Sequence, residues 1–192
     1  MRLPVELPKA YRLLNHGPTI LVTSAHAGKR NVMAAAWNTG LDFTPAKVVV
    51  VIDKNTWTRK LIDASGVFAL NVPSRAQAQA TLDVGSVSGR DIVGGDKFSR
   101  FGLETFPGTE IGVPLLEGCV AWLECKVIPE RHIEETYDLF IGEVVAAWAD
   151  SRVFSEGHWH FTEDESLRTI HYVAGGHFMG IGESFDLSKG QA

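Results

Sequence analysis

The chain has 192 residues, of which 45% are hydrophobic and 21% charged, and its formal net charge at pH 7 is −5. This composition is typical of a folded globular protein and excludes an intrinsically disordered chain. The acidic balance argues against a general nucleic-acid surface, which needs a clustered basic face, but allows a small anionic ligand in a local basic pocket. The length suits one domain over residues 1–192, with roughly the last ten residues as an extended tail.

The two cysteines lie in one predicted strand. Fully extended, Cys119 and Cys125 would be roughly 20 Å apart, too far for a mutual disulfide, so we expect two buried thiols in a reducing compartment. The N-terminal "MRLPVELPKAYRLLNHG" has no apolar signal-peptide core. The longest aliphatic run, "VVVVI", is too short to cross a bilayer. We therefore predict a cytoplasmic protein with no membrane and no nucleic-acid partner.

Strand signals dominate the first half of the chain. "TILVTSAH" and "NVMAAAWN" flank the polar turn "AGKR", which predicts a hairpin, and "KVVVVID" predicts a strand buried on both faces. "NTWTRKLIDASG" predicts a short helix that Asn55 caps and Gly66 closes. "VFALNV" predicts another strand, and "SRAQAQATLDVG" a second helix capped by Ser74.

The second half predicts a short helical piece in "DKFSRFGL" and two long strands, "CVAWLECKVI" and "DLFIGEVVAAWAD". In the latter strand, alternation places Leu139, Ile141 and Glu143 opposite Phe140, Gly142 and Val144. The glycine-rich "SLRTIHYVAGGHFMGIGE" does not suit a long regular element. Many strands with few short helices predict a mainly β fold of barrel type. No G-x-G-x-x-G follows the first strand, so a Rossmann domain is not expected.

Three consecutive alanines, residues 34–36, form the centre of the second strand, although alanine is depleted in strands. One interpretation is a strand that another element crosses closely. The other is a strand whose backbone faces a flat ligand with no side chain in the way. The stretch by itself leaves both open.

The segment "DKNTWTRKLI" joins the end of a strand to the start of a helix. The first turn of a helix carries free N–H groups and the positive end of the dipole, which favour phosphate. Cationic and hydroxyl side chains surround this turn. A capped amphipathic helix with solvated basic residues is the alternative.

The histidines offer weaker signals. His158 and His160 are two residues apart and could share a metal, but no third ligand is signalled, so exposed polar strand positions are favoured and no metal site is predicted. His177 follows two glycines in a loop that could face a ligand. No side chain is predicted to be catalytic.

Taken in order, these pieces resemble the flavin reductase-like, flavoredoxin-type family of FMN-binding split barrels. The resemblance rests on "ILVTSAHAGKRNVMAAAWNT", "PAKVVVVIDKNTWTRKLI", "GVFALNVP", "GRDIVGGDKF", "AWLECKV", "DLFIGEVVAAWAD" and "GGHFMGIG". It covers roughly residues 15–183 and implies a Greek-key split barrel that forms a homodimer, with one FMN per subunit near the interface.

The resemblance also implies three sets of cofactor-binding residues. The flavin ring would contact Met33, Ala34, Ala35, Ala36, Trp37, Asn38 and Thr39, largely through their backbone. The phosphate would lie at Lys54, Asn55 and Thr56, with Thr58 and Arg59 behind them. The "GRDIVGGDKF" loop would bring Arg90, Lys97 and Phe98 to the flavin or to the partner subunit.

Three features depart from the family pattern. Only Pro45 stands where paired prolines are common, Phe178 replaces a frequent tyrosine, and "FSEGHWHFTEDE" is unfamiliar. The implied activity is an NAD(P)H:flavin oxidoreductase in which NADH or NADPH passes hydride to FMN. The alternatives are an FMN-holding electron carrier without its own nicotinamide site and, in another class, a flavin-free binding module.

Overall fold

The computed structural model describes residues 1–94, 96–161, 163–185 and 187. The strands are β1 (Arg2–Pro4), β2 (Ile20–His26), β3 (Lys29–Ala35), β4 (Asn38–Phe43), β5 (Ala46–Val51), β6 (Val67–Val72), β7 (Thr105–Pro107), β8 (Pro114–Leu116), β9 (Ala121–Ile128), β10 (Leu139–Asp150), β11 (Phe154–Ser155), β12 (His158–Trp159), β13 (Ile170–Ala174) and β14 (His177–Gly180). The α-helices are α1 (Leu7–Ala10), α2 (Trp57–Ser65), α3 (Ala78–Ser86), α4 (Lys97–Arg100) and α5 (Arg131–Tyr137). Short 3-10 helices cover Tyr11–Leu13, Arg75–Gln77, Gly89–Asp91 and Glu165–Leu167.

The main sheet has eight antiparallel strands in the order β3-β2-β6-β9-β10-β5-β4, and β1 pairs with β10. The predicted hairpin is confirmed, since β2 and β3 pair with Val22 opposite Met33. The two edge strands, β3 and β4, are consecutive in sequence and are joined by Ala36 and Trp37. The predicted strand through Asn38 was therefore too long: it ends at Ala35, because the chain passes there from one sheet edge to the other. The result is the expected mainly β split barrel.

Alternation along β10 is confirmed. Phe140 and Val144 are buried in the core, whereas Glu143 on the opposite face is exposed. Gly142 faces inward, and a Cβ there would lie 2.6 Å from the Phe68 ring, so the position has no room for a side chain. The close approach of Phe68 explains a glycine in the middle of a long strand.

Strand β5 differs from the prediction of burial on both faces. Val48 and Val50 are buried, but Val49 and Val51 are only half-buried. One face of β5 packs into the core, and the opposite face is partly open to solvent. Both cysteines are buried and free, as expected.

The predicted helix after β5 is confirmed, with a corrected cap. Thr56, not Asn55, is the N-cap residue, and its Oγ1 accepts a hydrogen bond from the Arg59 N–H at 3.1 Å. The main-chain N–H of Asn55 donates a hydrogen bond to Asp53 Oδ1 at 2.7 Å. At the other end Gly66 adopts φ +70°, a left-handed conformation that glycine accepts without strain.

The second predicted helix begins as a 3-10 turn at Arg75–Gln77 and becomes α-helical only at Ala78. Ser74 precedes that turn, but its side chain makes no capping hydrogen bond. The glycine-rich C-terminal segment forms a short hairpin, β13–β14. Of the predicted C-terminal tail, only 183–185 and 187 belong to the described residues, so most of that prediction lies outside them. None of the helices within the described ranges is long and apolar enough to cross a membrane.

Candidate functional site

A cavity of about 470 Å³ lies where β3, α3 and the β13–β14 hairpin meet. Its lining residues are Thr19, Met33, Ala34, Ala35, Ala36, Trp37, Val51, Asp53, Thr81, Leu82, Gly85, Ser86, Tyr172, Val173 and Phe178. The alanine stretch therefore forms one side of the cavity. Five of the seven residues expected to contact a flat ring lie along it.

Strand β3 meets the cavity with its edge. Within the described part of the chain β3 pairs only with β2, so alternate N–H and C=O groups on its other side have no strand partner. Consecutive residues of a strand point to opposite faces, yet Met33 through Ala36 all line the cavity. A cavity that touches both sets of residues lies at the strand's edge, where backbone groups are accessible.

The first interpretation of the alanines, that another element crosses the strand closely, is confirmed for Ala34. A Cβ placed on Gly85 of α3 would lie 3.3 Å from the Ala34 Cβ, so α3 crosses β3 closely at this point. Ala35 is only 8% exposed and packs in the core, whereas Ala36 is exposed. The three alanines thus have different surroundings, and Ala36 is the one that faces open space.

The C-terminal hairpin is fixed to the barrel beside the cavity. The Thr19 N–H donates to the Ile170 oxygen at 2.8 Å, and Thr19 Oγ1 accepts from the Tyr172 N–H at 2.6 Å. Tyr172 and Phe178 meet edge to face with ring centroids 5.2 Å apart. His177 begins β14, is exposed, and does not line the cavity.

His16 supports the base of this hairpin. Its Nε2 lies 2.8 Å from Thr169 Oγ1, and its ring lies against Trp159, Phe161 and His171. Burial, with a smaller contribution from His171, lowers the pKa of His16 to about 4. His16 is therefore neutral at neutral pH.

The turn after β5 is tied to the loop after α3. Asp53 lines the cavity, and Thr56 Oγ1 donates to the Asp53 main-chain oxygen at 2.8 Å. Arg90 donates from Nη2 to the Thr56 main-chain oxygen at 3.1 Å. The structure therefore brings the predicted Thr56 and Arg90 together; neither lines the cavity, but Thr56 is bonded to Asp53, which does.

Lys54, Asn55, Thr58 and Arg59, also expected at the phosphate, do not line the cavity either. Lys54 Nζ points to the Glu135 oxygen at 3.4 Å and the Asp138 carboxylate at 3.9 Å, next to α5. Thr58 is fully buried. Arg59 forms ion pairs with Asp63 and Asp138 and packs over the Phe140 ring. The contacts of Arg59 with Asp63, Asp138 and Phe140 stabilise the barrel around α2.

Lys97, Phe98, Asn38 and Thr39 also lie outside the cavity lining. Lys97 is buried, donates from Nζ to the Val84 oxygen at 2.7 Å near the end of α3, and has its pKa lowered to about 8 by that burial. Phe98 is in the core, with the Arg30 guanidinium 4.5 Å from its ring centroid. Asn38 Nδ2 donates to the Pro18 oxygen at 2.9 Å, while Thr39 is exposed.

Sequence reasoning missed Asn31. It is 2% exposed on β3, its Nδ2 donates to Thr58 Oγ1 at 2.8 Å, and its Oδ1 has no hydrogen-bond partner among the described residues. Its signal was a polar residue on the same strand face as Met33 and Ala35. An orphaned buried acceptor is costly, but Asn31 does not line the cavity, and a Cβ on Gly89 would lie 2.4 Å from its Oδ1.

The two histidines at 158 and 160 make separate contacts. His158 Nδ1 lies 3.1 Å from the Glu156 oxygen, and His160 Nε2 lies 2.8 Å from Ser155 Oγ. Within the described residues, no group of three or more His, Cys, Asp or Glu side chains could hold a metal ion.

Known proteins are similar to this chain in sequence and in fold. The family model of the flavin reductase like domain matches residues 12–170. The chain is 47% identical over 184 residues to YddH of Escherichia coli, covering 94% of this chain and 95% of that protein. It is also 26% identical over 161 residues to the NADH-dependent FAD reductase of Streptomyces globisporus, covering 81% of this chain and 86% of that protein.

A solved structure extends the likeness to three dimensions. The FMN-binding domain of a flavin reductase-like enzyme from Shewanella baltica superposes with a TM-score of 0.93 at 51% identity, covering 97% of each chain. The matched family model and the high identity over nearly the whole length leave one assignment: this chain belongs to the flavin reductase-like, FMN-binding family.

Proposed function

We propose that this chain binds FMN in the cavity between β3, α3 and the β13–β14 hairpin and reduces it with NADH or NADPH. The observation that carries the proposal is the open edge of β3, which presents backbone groups and small side chains to the cavity. A flat, polar-edged ring fits such an edge, because backbone N–H and C=O groups can pair with its heteroatoms while alanine methyl groups leave its faces free.

The other end of the site suits a polar chain ending in phosphate. Arg90 donates to the Thr56 main-chain oxygen at the start of α2, where the helix N-terminus also favours an anion. Asp53 carries a negative charge inside the cavity, so the phosphate is assigned beyond it, at Arg90 and Thr56, and not at Lys54.

FMN supplies the chemistry when bound, since it accepts a hydride from a nicotinamide and passes the electrons on. The protein supplies binding and orientation. Asp53 and Tyr172 are the titratable side chains among the residues lining the cavity, and hydride transfer to a flavin requires neither. Backbone N–H groups of β3 would stabilise negative charge on the ring edge they face.

The test is the anaerobic addition of NADH or NADPH to the FMN-loaded protein while the visible flavin absorption is recorded. Bleaching by either nucleotide within the time of stopped-flow mixing is expected. If the protein binds FMN but neither nucleotide bleaches it, the FMN-holding electron carrier replaces the reductase. If no FMN binds, the flavin-free binding module is correct.

We also propose that the chain is a homodimer in which a second copy covers the open side of the cavity. Trp37 lines the cavity and is 75% exposed, and Leu41 and Phe43 on the outward face of β4 are more than half exposed. Exposed large apolar side chains grouped along one edge strand favour a protein interface. The molar mass in solution tests this, and Leu41→Asp is expected to shift a dimer toward monomers.

The domain and compartment follow as further proposals. We propose one flavin reductase-like domain for the whole chain, in the cytoplasm, where the two buried thiols stay reduced. Limited proteolysis that leaves one resistant core supports the first proposal, and cell fractionation tests the second.

A further inference from the structure

The segment "FSEGHWHFTEDE", residues 154–165, forms a short hairpin of β11 and β12, and none of its described residues lines the cavity. The hairpin is fixed to the chain that precedes β2. Arg12 donates from Nη1 to the Gly157 oxygen at 3.2 Å, and Trp159 Nε1 donates to the Arg12 main-chain oxygen at 3.0 Å. The segment is therefore an ordered part of the barrel surface whose purpose the flavin site alone does not explain.

Three aromatic rings of this segment pack together, and we call Phe154, Trp159 and Phe161 the aromatic support. Trp159 stacks on Phe161 with ring centroids 5.1 Å apart and meets Phe154 edge to face at 5.2 Å. The His16 ring lies edge to face against the support, 5.1 Å from Trp159 and 6.5 Å from Phe161. Packed aromatic rings hold one another in a defined geometry, so the support fixes the orientation of the imidazole.

His16 connects the aromatic support to the C-terminal hairpin. Its Nε2 lies 2.8 Å from Thr169 Oγ1, and its ring centroid lies 5.9 Å from that of His171. Thr169 is fully buried, and its main-chain oxygen accepts a hydrogen bond from the Ile181 N–H at 3.2 Å. Because Thr169 precedes β13 and Ile181 follows β14, His16 is bonded at the point where both strands of the hairpin meet.

The hairpin depends on such contacts for its position. Within the described part of the chain, β13 and β14 pair only with each other. An isolated two-stranded hairpin is marginally stable in water. Tyr172, Val173 and Phe178 of this hairpin line the cavity. The place of one cavity wall is therefore set at the base of the hairpin, where His16 lies.

We infer that His16 and Trp159 are positioning residues that hold the β13–β14 hairpin where Tyr172 and Phe178 meet the ligand in the cavity. Neither residue lines the cavity, so both act through the hairpin. The contacts run from the aromatic support to His16, then to Thr169, and from there along β13 to Tyr172. The consequence for FMN affinity rests on the proposed function, whereas the position of the hairpin does not.

The first experiment breaks the His16–Thr169 hydrogen bond from each side and measures the Kd for FMN by fluorescence titration. His16→Leu and Thr169→Val should each raise the Kd about threefold to tenfold, in line with the loss of one hydrogen bond. The double variant should be no worse than the weaker-binding single variant, because both changes remove the same bond. Thr169→Val keeps the shape of the buried side chain, so it tests the bond even if His16→Leu folds poorly.

Two further variants separate positioning from general stability. His16→Gln retains a side-chain amide that reaches the place of Nε2, so it should restore FMN binding to near the wild-type Kd. His158→Leu changes an exposed histidine of β12 and should leave the Kd unchanged. In a chain that carries Tyr172→Ala and Phe178→Ala, adding His16→Leu should change the Kd less than about twofold, because the rings that His16 positions are gone.

Hydrogen exchange of the flavin-free protein tests the position of the hairpin without any ligand. The amides of residues 170–174 and 177–180 should exchange faster in His16→Leu and in Trp159→Leu than in the wild type. The amides of β10 should exchange at the wild-type rate in both variants, since a local release of the hairpin leaves the main sheet intact.

Three results would overturn the inference. They are hairpin exchange that His16→Leu and Trp159→Leu leave unchanged, an unchanged Kd for FMN in His16→Leu and Thr169→Val, and an equal effect of His16→Leu with and without the Tyr172 and Phe178 rings. If the wild type binds no FMN, the proposed function fails. Faster hairpin exchange in His16→Leu would then still support the positioning of the hairpin, and unchanged exchange would contradict it.

Discussion

Arg90 donates a hydrogen bond from its guanidinium to the main-chain oxygen of Thr56 at 3.1 Å, linking the loop after α3 to the cap of α2. The two residues are 34 positions apart in the chain. Their contact puts a cation beside a helix N-terminus, next to Asp53 of the cavity lining. We assign phosphate binding to the Arg90 guanidinium and the N-terminus of α2 at Thr56.

Arg90→Ala should therefore weaken FMN binding. Loss of a charge-assisted contact costs about 1.5–3 kcal/mol, which corresponds to a Kd raised roughly 10- to 100-fold. Lys54→Ala is the matched control, because Lys54 points to α5 and should change the Kd little. Fluorescence titration of both variants with FMN measures the effect. A larger loss in Lys54→Ala than in Arg90→Ala would place the phosphate at Lys54 and not at Arg90.

The alanine stretch can be tested at two neighbouring positions. Ala36→Leu adds a side chain at an exposed position of the cavity lining, so it should raise the Kd for FMN with little change in the free energy of unfolding. Ala35→Leu adds the same atoms to a packed core position and should destabilise the fold by about 1–3 kcal/mol. Urea denaturation and FMN titration of both variants separate the two effects. Unchanged FMN affinity in Ala36→Leu would mean that no ring lies against this strand.

His16 predicts a pH-dependent stability. Its pKa in the fold is about 4, below the ordinary value of 6.5, so between these values the unfolded chain binds a proton that the folded chain does not. The free energy of unfolding should be unaffected by His16 above pH 6.5. It should fall by at most roughly 3 kcal/mol as the pH decreases toward 4. The free energy of unfolding, measured in urea across this range, should decline accordingly.

The matched variants for this prediction are His16→Gln and His177→Gln. The first removes the titrating group at the base of the C-terminal hairpin and should flatten the decline between pH 6.5 and 4. The second changes an exposed histidine and should leave the decline as it is. An equal pH dependence in wild type and His16→Gln would assign the acid sensitivity to other groups.

Glu124 stabilises a loop that does not line the proposed flavin site. This fully buried carboxylate accepts hydrogen bonds from the N–H groups of Thr109, Glu110 and Ile111 at 2.7–2.9 Å. Glu124→Gln should lower the free energy of unfolding by about 2 kcal/mol, because an amide replaces an oxygen acceptor with a donor. Glu143→Gln, at an exposed position of β10, should change it by less than about 0.5 kcal/mol. Equal stability of the two variants in urea would contradict this role.

Local sequence patterns were sufficient to predict most of the sheet. Alternation identified the two faces of β10, and the turn between β2 and β3 identified the hairpin, because both depend on neighbouring residues. The end of β3 at Ala35 could not be predicted, since it depends on where the opposite edge strand lies. Val49 and Val51 are less buried than their hydrophobicity suggested, because their face of β5 is only partly covered.

The candidate site was predicted only where it follows a single strand. The alanines were found because their composition is unusual, and the turn before α2 because it combines a strand end with a cap. The direction of Lys54, the ion pair of Arg59 with Asp138 and the burial of Lys97 depend on partners outside their own segments. Asn31 was missed because its unpaired oxygen becomes evident only when Thr58 and the surrounding packing are known.

The most direct test of the account is a fluorescence titration of the flavin-free protein with FMN and, in parallel, with riboflavin. The account predicts saturable binding of one FMN per chain, weaker binding of riboflavin, and a selective loss of the FMN advantage in Arg90→Ala. Absence of FMN binding, or equal affinity for FMN and riboflavin in the wild type, would contradict a flavin site whose phosphate lies at Thr56 and Arg90.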